Sequence, residues 1–421
     1  MNTNKKKIFN DPVYGFITIP HPLLFDLIEH PWFQRLRRIR QLGLSHMVYP
    51  GALHTRFHHA LGALHLTIQA VETLRSKGHE ITEEEAVSMQ AAILLHDIGH
   101  SPFSHALEHS LITGLSHESV SLLFMEKLND EFNGQLDTAI RIFRGTYPKK
   151  FLHQLISGQL DMDRMDYLNR DSFYTGVLEG KIGAQRIIKM LDIKDGRLVV
   201  EEKGIYSIEK FIIARRLMYW QVYLHKTVLA AEQLLVMILR RARELMMRGE
   251  QLFATPAFSY FLQHSCTEAD LKREPHLLDK YAQLDDYDVF ASIKVWCQHD
   301  DIILSRLCNG LVNRKLYKIS LQKEPFTEEQ VNAYRLNAVR LMGVSDADSA
   351  YCAFQGFISN SAYDPGGEPI RILFRDGSTI DLSAASDQMD VAVLSVKVQK
   401  HYLCTLPGLT ENDLRQGRFI S

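Results

Sequence analysis

The chain has 421 residues, 46% of them hydrophobic, enough for a sizeable core spread over roughly two or three structural units. Lys and Arg number 48 against 50 Asp and Glu, so there is no basic surplus of the kind that coats nucleic acid, and a nucleic-acid partner is not expected. The five cysteines (Cys266, Cys297, Cys308, Cys352, Cys404) lack CxxC spacing, which argues against a disulfide framework or zinc knuckle and fits a reducing compartment.

In chain order, the start has no apolar leader pattern, and 228–239 is too short and too interrupted by Glu232 and Gln233 to span a bilayer. A cytoplasmic protein without membrane contact is expected. Residues 8–20 read as extended, with a turn at Asn10-Asp11-Pro12 and a short strand at 16–19. Helical periodicity then takes over. Leu23, Leu24, Leu27, Ile28, Phe33, Leu36 and Ile39 recur at helix spacing, as do Leu61, Leu64, Ile68, Val71 and Leu74. The same spacing predicts helices at 83–97, 117–130, 136–144 and 163–175, and a long helical stretch at 207–248. Asp195-Gly196 marks a small hairpin turn. Beyond about 310 the pattern changes: a second hairpin is expected across Asp376-Gly377, with further strands at 391–394 and 401–404. The expectation is a mainly α protein: a helical body with a small hairpin over 1–310, and a smaller α+β lobe over 311–421.

The chemistry concentrates in His96-Asp97-Ile98-Gly99-His100-Ser101-Pro102-Phe103-Ser104-His105, which follows the apolar run at 91–95. A His and an Asp at the end of a buried helix are costly unless a metal or a partner compensates them. Upstream lies Phe57-His58-His59; downstream, Asp163, Tyr167, Arg170 and Asp171 fall on one helix face. Two carboxylates, a phenol and a guanidinium on one face suit a site better than a core. Arg215, Tyr219, Tyr223 and Lys226 make a second polar stripe at helix spacing.

The order His … His-Asp … Asp resembles the ligand pattern of the HD-domain metal-dependent phosphohydrolases. Phe9-Asn10-Asp11-Pro12, Phe33-Gln34-Arg35-Leu36-Arg37, Gln41-Leu42-Gly43, Ser116-His117-Glu118 and Asp163-Arg164-Met165-Asp166-Tyr167 extend the resemblance to its deoxynucleoside triphosphate triphosphohydrolase branch. The catalytic domain found in sterile-alpha-motif-and-HD-domain proteins is the most similar. The resemblance covers 8 to about 230 and thins to patches afterwards.

It implies one divalent ion (Mn, Fe, Zn or Mg) on His59, His96, Asp97 and Asp163, with a second Mg carried by the triphosphate as an option. Metal-bound water or hydroxide would attack the α-phosphate, giving deoxynucleoside and inorganic triphosphate. His117 is the expected acid for the leaving oxygen, supported by His100, His105 and Glu108, where the family carries Asp in place of Glu108. Gln41, Leu42, Tyr167 and Asp171 would line the sugar pocket; Arg56, Arg164, Arg215 and Lys226 would take phosphates, Arg164 standing where that catalytic domain carries Lys; and Tyr223 matches a further substrate-binding position. Members of the branch form homo-oligomers, dimers or tetramers, with GTP or a dNTP bound as activator. Asp11, Gln34 and Arg37 match the positions that read a guanine there, and Arg314 and Lys318 those that hold activator phosphates. Leu44 interrupts the branch's double glycine. Two other readings compete: hydrolysis of a different nucleotide or phosphoester, and a nucleotide sensor with little turnover.

Overall fold

A computed structural model describes residues 7–103, 116–360, 368–386 and 398–409, and the backbone of 112–113. The strand expected at 391–394 lies outside the described residues, as do His105 and Glu108.

The expected extended start is a hairpin, Lys7–Asp11 antiparallel to Gly15–Ile19. Asp11 Oδ1 accepts the backbone N–H groups of Val13 and Tyr14, closing the turn before the return strand. Helices follow, close to their expected places: Arg56–Ser76, Glu83–Leu95, His117–Glu131, Asp137–Phe143 and Met162–Thr175. Thr82 and Glu85 cap the second of these reciprocally.

The Arg56–Ser76 helix lies against both Met162–Thr175 and Glu83–Leu95 and is the axis of the body. Gly62 permits the first contact: a Cβ there would stand 2.0 Å from Asp166 Oδ1 and 2.2 Å from an Arg170 Nη. The close approach needs glycine, because any side chain would displace a buried ion pair.

The expected helix at 207–248 is interrupted. Ile205–Met218 is regular, a wider turn covers Tyr219–Tyr223, and Lys226–Met247 restarts at an angle of 56°. The Leu224 N–H reaches back five residues to the Tyr219 carbonyl at 2.7 Å, and the His225 ring accepts the Thr227 N–H to begin the next helix. Lys226 is therefore not continuous with the Arg215/Tyr219/Tyr223 stripe. No single helix among the described residues is long and apolar enough to cross a membrane.

The hairpin Leu191–Lys194 with Arg197–Glu201 forms as expected, with Asp195 (φ 52°) and Gly196 (φ 72°) both left-handed at its turn. Its second strand also pairs in parallel with Arg371–Leu373, which pairs with Thr379–Asp381. The two expected hairpins thus build one four-stranded sheet across some 170 residues of chain. Lys318–Gln322, Val398–Thr405 and Ala353–Asn360 make a second, antiparallel sheet. The whole is mainly α with a smaller α+β part, and one contiguous apolar core runs from Ile17 to Leu409.

Candidate metal centre and cleft

Three helices converge on one buried cluster. Arg56–Ser76 supplies His59 from its first turn, Glu83–Leu95 ends at His96 and Asp97, and Met162–Thr175 supplies Asp163 one residue after its start. Asp161 caps that last helix by accepting the Arg164 N–H at 2.7 Å.

Both imidazoles are oriented by what their Nδ1 atoms meet. His59 Nδ1 donates to Asp166 Oδ2 at 2.7 Å, and His96 Nδ1 donates to the Ile93 carbonyl at 2.6 Å. Each Nε2 is thereby turned inward. His59 Nε2 lies 3.0 Å from Asp163 Oδ1 and 3.9 Å from Asp97 Oδ2; His96 Nε2 lies 3.6 Å from Asp163 Oδ1 and 3.4 Å from Asp97 Oδ1. Neither Nε2 makes an aligned hydrogen bond, although both are buried. Buried polar atoms are normally bonded, so two orphaned nitrogens aimed at two carboxylates mark a place that accommodates a cation.

The electrostatics agree. Burial alone would lower the pKa of His59, but the neighbouring Asp163 and Asp166 carboxylates raise it to about 10. Burial would raise Asp163, yet His59 and His96 pull it well below the carboxylate range. Two carboxylates around one imidazole draw a proton onto it, and a divalent ion answers the same demand. Two nitrogens and two carboxylates suit Mn, Fe, Zn or Mg. His59, His96 and Asp163 offer ligand atoms within 4.8 Å of one another.

The turn carrying the motif is held carbonyl by carbonyl. The fully buried Arg35 donates to the oxygens of Ile98 (3.1 Å), His100 (2.6 Å) and Leu284 (2.6 Å), and the Tyr281 hydroxyl donates to Gly99 O at 2.9 Å. Gly99 packs on the start of His117–Glu131: a Cβ would stand 2.3 Å from Ser121 N and 2.5 Å from His117 O. This contact sets the His100 ring parallel to His117, centroids 3.9 Å apart and planes 14° apart. His100 Nε2 sits 3.2 Å from Asp97 Oδ1. Burial, followed by the Arg56 charge, holds the His100 pKa well below the usual imidazole value.

The cluster opens into a cleft of about 450 Å3. Its lining combines His96, Asp97, His117, Asp161, Asp163 and Arg164 with Phe143, Arg144, His153, Ile156 and Ser157. The second group was not anticipated from the sequence. Arg164 is anchored through Nε to Gly158 O (2.8 Å) and Asp161 Oδ2 (3.0 Å), and its Nη groups carry no hydrogen bond among the described residues.

The remaining expected residues divide. Asp171, Tyr167 and Tyr223 come together: Tyr223 donates to Asp171 Oδ2 at 2.7 Å, and its ring meets Tyr167 edge-on at 6.1 Å. The Arg215 charge is felt at Tyr167. Half-buried Gln41 and Leu42 follow the bridge between Arg40 and Thr55. Arg56, expected to take phosphate, is buried in an ion pair with Asp97. Asp11, expected to read a base, is buried with both oxygens engaged, Oδ2 accepting from Arg170 at 2.7 Å. Gln34 and Arg37 are joined, Arg37 Nε donating to Gln34 Oε1 at 2.8 Å with the guanidinium 3.6 Å from the Phe57 ring centroid. Arg314 and Lys318 are exposed, Arg314 donating to Met47 O.

Comparison with known proteins assigns the class. Residues 56–171 match the HD domain model and 182–260 the HD associated region. The uncharacterized protein YwfO of Bacillus subtilis is 34% identical over 397 residues, 91% of this chain and 88% of its own. The chain belongs to the HD-domain phosphohydrolase family.

A solved phosphohydrolase from Bacteroides thetaiotaomicron superimposes with a TM-score of 0.92 at 52% identity, covering 95% of this chain and all of that one. The deoxynucleoside triphosphate triphosphohydrolase SAMHD1 of Danio rerio is 28% identical over 272 residues, which is 54% of this chain and 43% of that protein. HD domains bind divalent metals, and this cluster's donors are of the right kind.

Proposed function

We propose that this phosphohydrolase cleaves a deoxynucleoside triphosphate to deoxynucleoside and inorganic triphosphate. The reading is carried by one observation: two orphaned imidazole nitrogens and two carboxylates cluster where His96, Asp97 and Asp163 line a cleft that also holds His117 and Arg164. The likeness to SAMHD1 supports the substrate class. His59, His96, Asp97 and Asp163 would hold a divalent ion, which when bound would lower the pKa of water and polarise a phosphoryl oxygen.

The chain's own groups do the rest. Water oxygen bonds to the α-phosphorus, the bond to the sugar 5′-oxygen breaks, and that oxygen takes a proton. His117, stacked on His100 at the cleft wall, supplies the proton. The Arg164 Nη groups bind the phosphates, while Arg56 holds Asp97 in orientation. Tyr167, Asp171, Tyr223, Gln41 and Leu42 enclose the sugar, with Arg215 beside them. A nucleotide activator would sit at Gln34 and Arg37, with Arg314 and Lys318 for its phosphates.

The test is product analysis. The protein loaded with Mn or Mg is incubated with each dNTP, with and without GTP, and the products are resolved. Inorganic triphosphate with deoxynucleoside is the expected result. Orthophosphate or pyrophosphate means another bond is cut, and no turnover of any dNTP moves the substrate to a different phosphoester.

A further inference from the structure

A histidine that the sequence did not single out stands at the far end of the Met162–Thr175 helix. His54 is buried (2% exposed) and its Nε2 donates to Asp171 Oδ1 at 2.7 Å. Its ring lies flat on Tyr174, centroids 4.4 Å and planes 16° apart. Its carbonyl accepts the Gln41 N–H at 3.0 Å, so the segment bearing His54 also fixes Gln41. His54 Nδ1 makes no hydrogen bond among the described residues. The ring is therefore located by Tyr174 and by the carboxylate it contacts.

Asp171 is 1% exposed, and His54 is the one basic side chain that contacts its carboxylate among the described residues. A buried carboxylate is costly without such a partner. Its other oxygen accepts from Tyr223. Each carboxylate oxygen has two lone pairs, so Asp171, with one donor on each, retains acceptor capacity on both. Asp166, five residues earlier on the same helix, differs: it takes two bonds from Arg170 and one from His59, a set that locks it into the framework.

We infer that His54 is a positioning residue for sugar recognition: it holds Asp171 in the orientation that accepts a hydrogen bond from a sugar hydroxyl of the bound nucleotide. The inference rests on the substrate reading above. It assigns the discrimination between a 3′-hydroxyl and its absence to a pair, His54 and Asp171, rather than to Asp171 alone.

The experiment compares the wild-type chain with His54→Gln, both Mn-loaded. Substrates are the 2′-deoxy- and 2′,3′-dideoxynucleoside triphosphates of one base, and bis(4-nitrophenyl) phosphate, a diester with no sugar. Wild type should prefer the deoxynucleotide, and in His54→Gln that ratio of kcat/KM should fall by about tenfold or more, as expected when a built hydroxyl site loses its alignment. Turnover of the sugarless diester should stay within about twofold, because the metal cluster is untouched. Asp171→Asn should lower the ratio similarly, and the double variant should lower it little further, since the two act as one unit.

An unchanged ratio in His54→Gln overturns the proposal, as does an equal loss on the sugarless diester, which would make His54 structural. If His54→Gln does not fold, Asp171→Asn and Tyr174→Ala, which removes the stacking face, provide the same ratio. An unchanged ratio in both overturns it. Wild type that turns over the diester but no dNTP removes the substrate reading itself, a separate failure.

Discussion

Asp163 and Asp166 lie three residues apart on one helix, and both face His59, yet they sit in opposite electrostatic situations. Around Asp166 the accounts close: Arg170 donates through Nε and Nη2, His59 adds a third bond, and the remaining Arg170 nitrogen goes to Asp11. Around Asp163 they do not: two imidazole Nε2 atoms and the Asp97 carboxylate crowd together without an aligned hydrogen bond on either nitrogen. Buried charge that is fully paired holds a fold in one arrangement; buried polar groups left unpaired await a ligand. A titratable cluster alone does not distinguish a site from a strut. What distinguishes this one is that two unsatisfied imidazole nitrogens face two carboxylates.

The strongest way to break this contrast is to remove one member from each cluster. Asp163→Ala should abolish metal binding, read as bound metal per chain, and lower turnover by at least about a thousandfold, with helical circular dichroism retained. Full turnover in that variant would end the site assignment. Arg170→Met should do the reverse. It leaves Asp166 and Asp11 buried without their cation, at a cost of about 3–5 kcal/mol in urea unfolding, while the folded fraction still takes up metal. If Arg170→Met unfolds at the wild-type midpoint, the Asp166 cluster is not the strut described here.

The contrast also explains what the sequence could disclose. The convergence of His96-Asp97 and the Asp163 motif, and the helices that carry them, were legible because short motifs and apolar periodicity are local: the spacing that makes a helix also places the residues on it. Pairings between distant segments were not. The His54–Asp171 contact spans 117 residues, Asp11–Arg170 spans 159, and the Glu201-to-Leu373 register joins strands across 172. Asp11 shows the limit well. Its turn chemistry before Pro12 was readable, whereas the guanidinium that claims its second oxygen was not. Likewise the Tyr219–Tyr223 turn interrupts a run whose periodicity reads as one helix. The part of the cleft lining that includes Arg144 and His153 carries no motif of its own.

A finer cut separates the cluster from the groups that serve it. His117→Ala should lower kcat by about a hundredfold, the scale of a lost general acid, with bound metal per chain unchanged. Loss of metal in this variant would place His117 among the ligands and contradict the acid role.

Asp286 offers a third case, a buried carboxylate satisfied mainly by the backbone. Its oxygens accept the N–H groups of Arg40 and Phe103 at 2.9 Å each, joining the segment before Gln41 to the end of the motif loop. Burial pushes its pKa up to about 6, against 3.8 for an ordinary Asp, because two N–H donors compensate the charge only in part. Between these values the folded protein holds a proton that the unfolded chain has released, so this group's contribution to stability falls as pH rises. The fall is worth up to about 3 kcal/mol from pH 4 to 7 at 1.36 kcal/mol per unit. Asp286→Asn cannot titrate there, although it gives up one of the two acceptors. Its unfolding free energy relative to wild type should therefore climb across that range, whatever its offset at pH 4. A flat difference would mean that Asp286 ionises normally and that the two backbone donors compensate its charge as completely as Arg170 compensates Asp166.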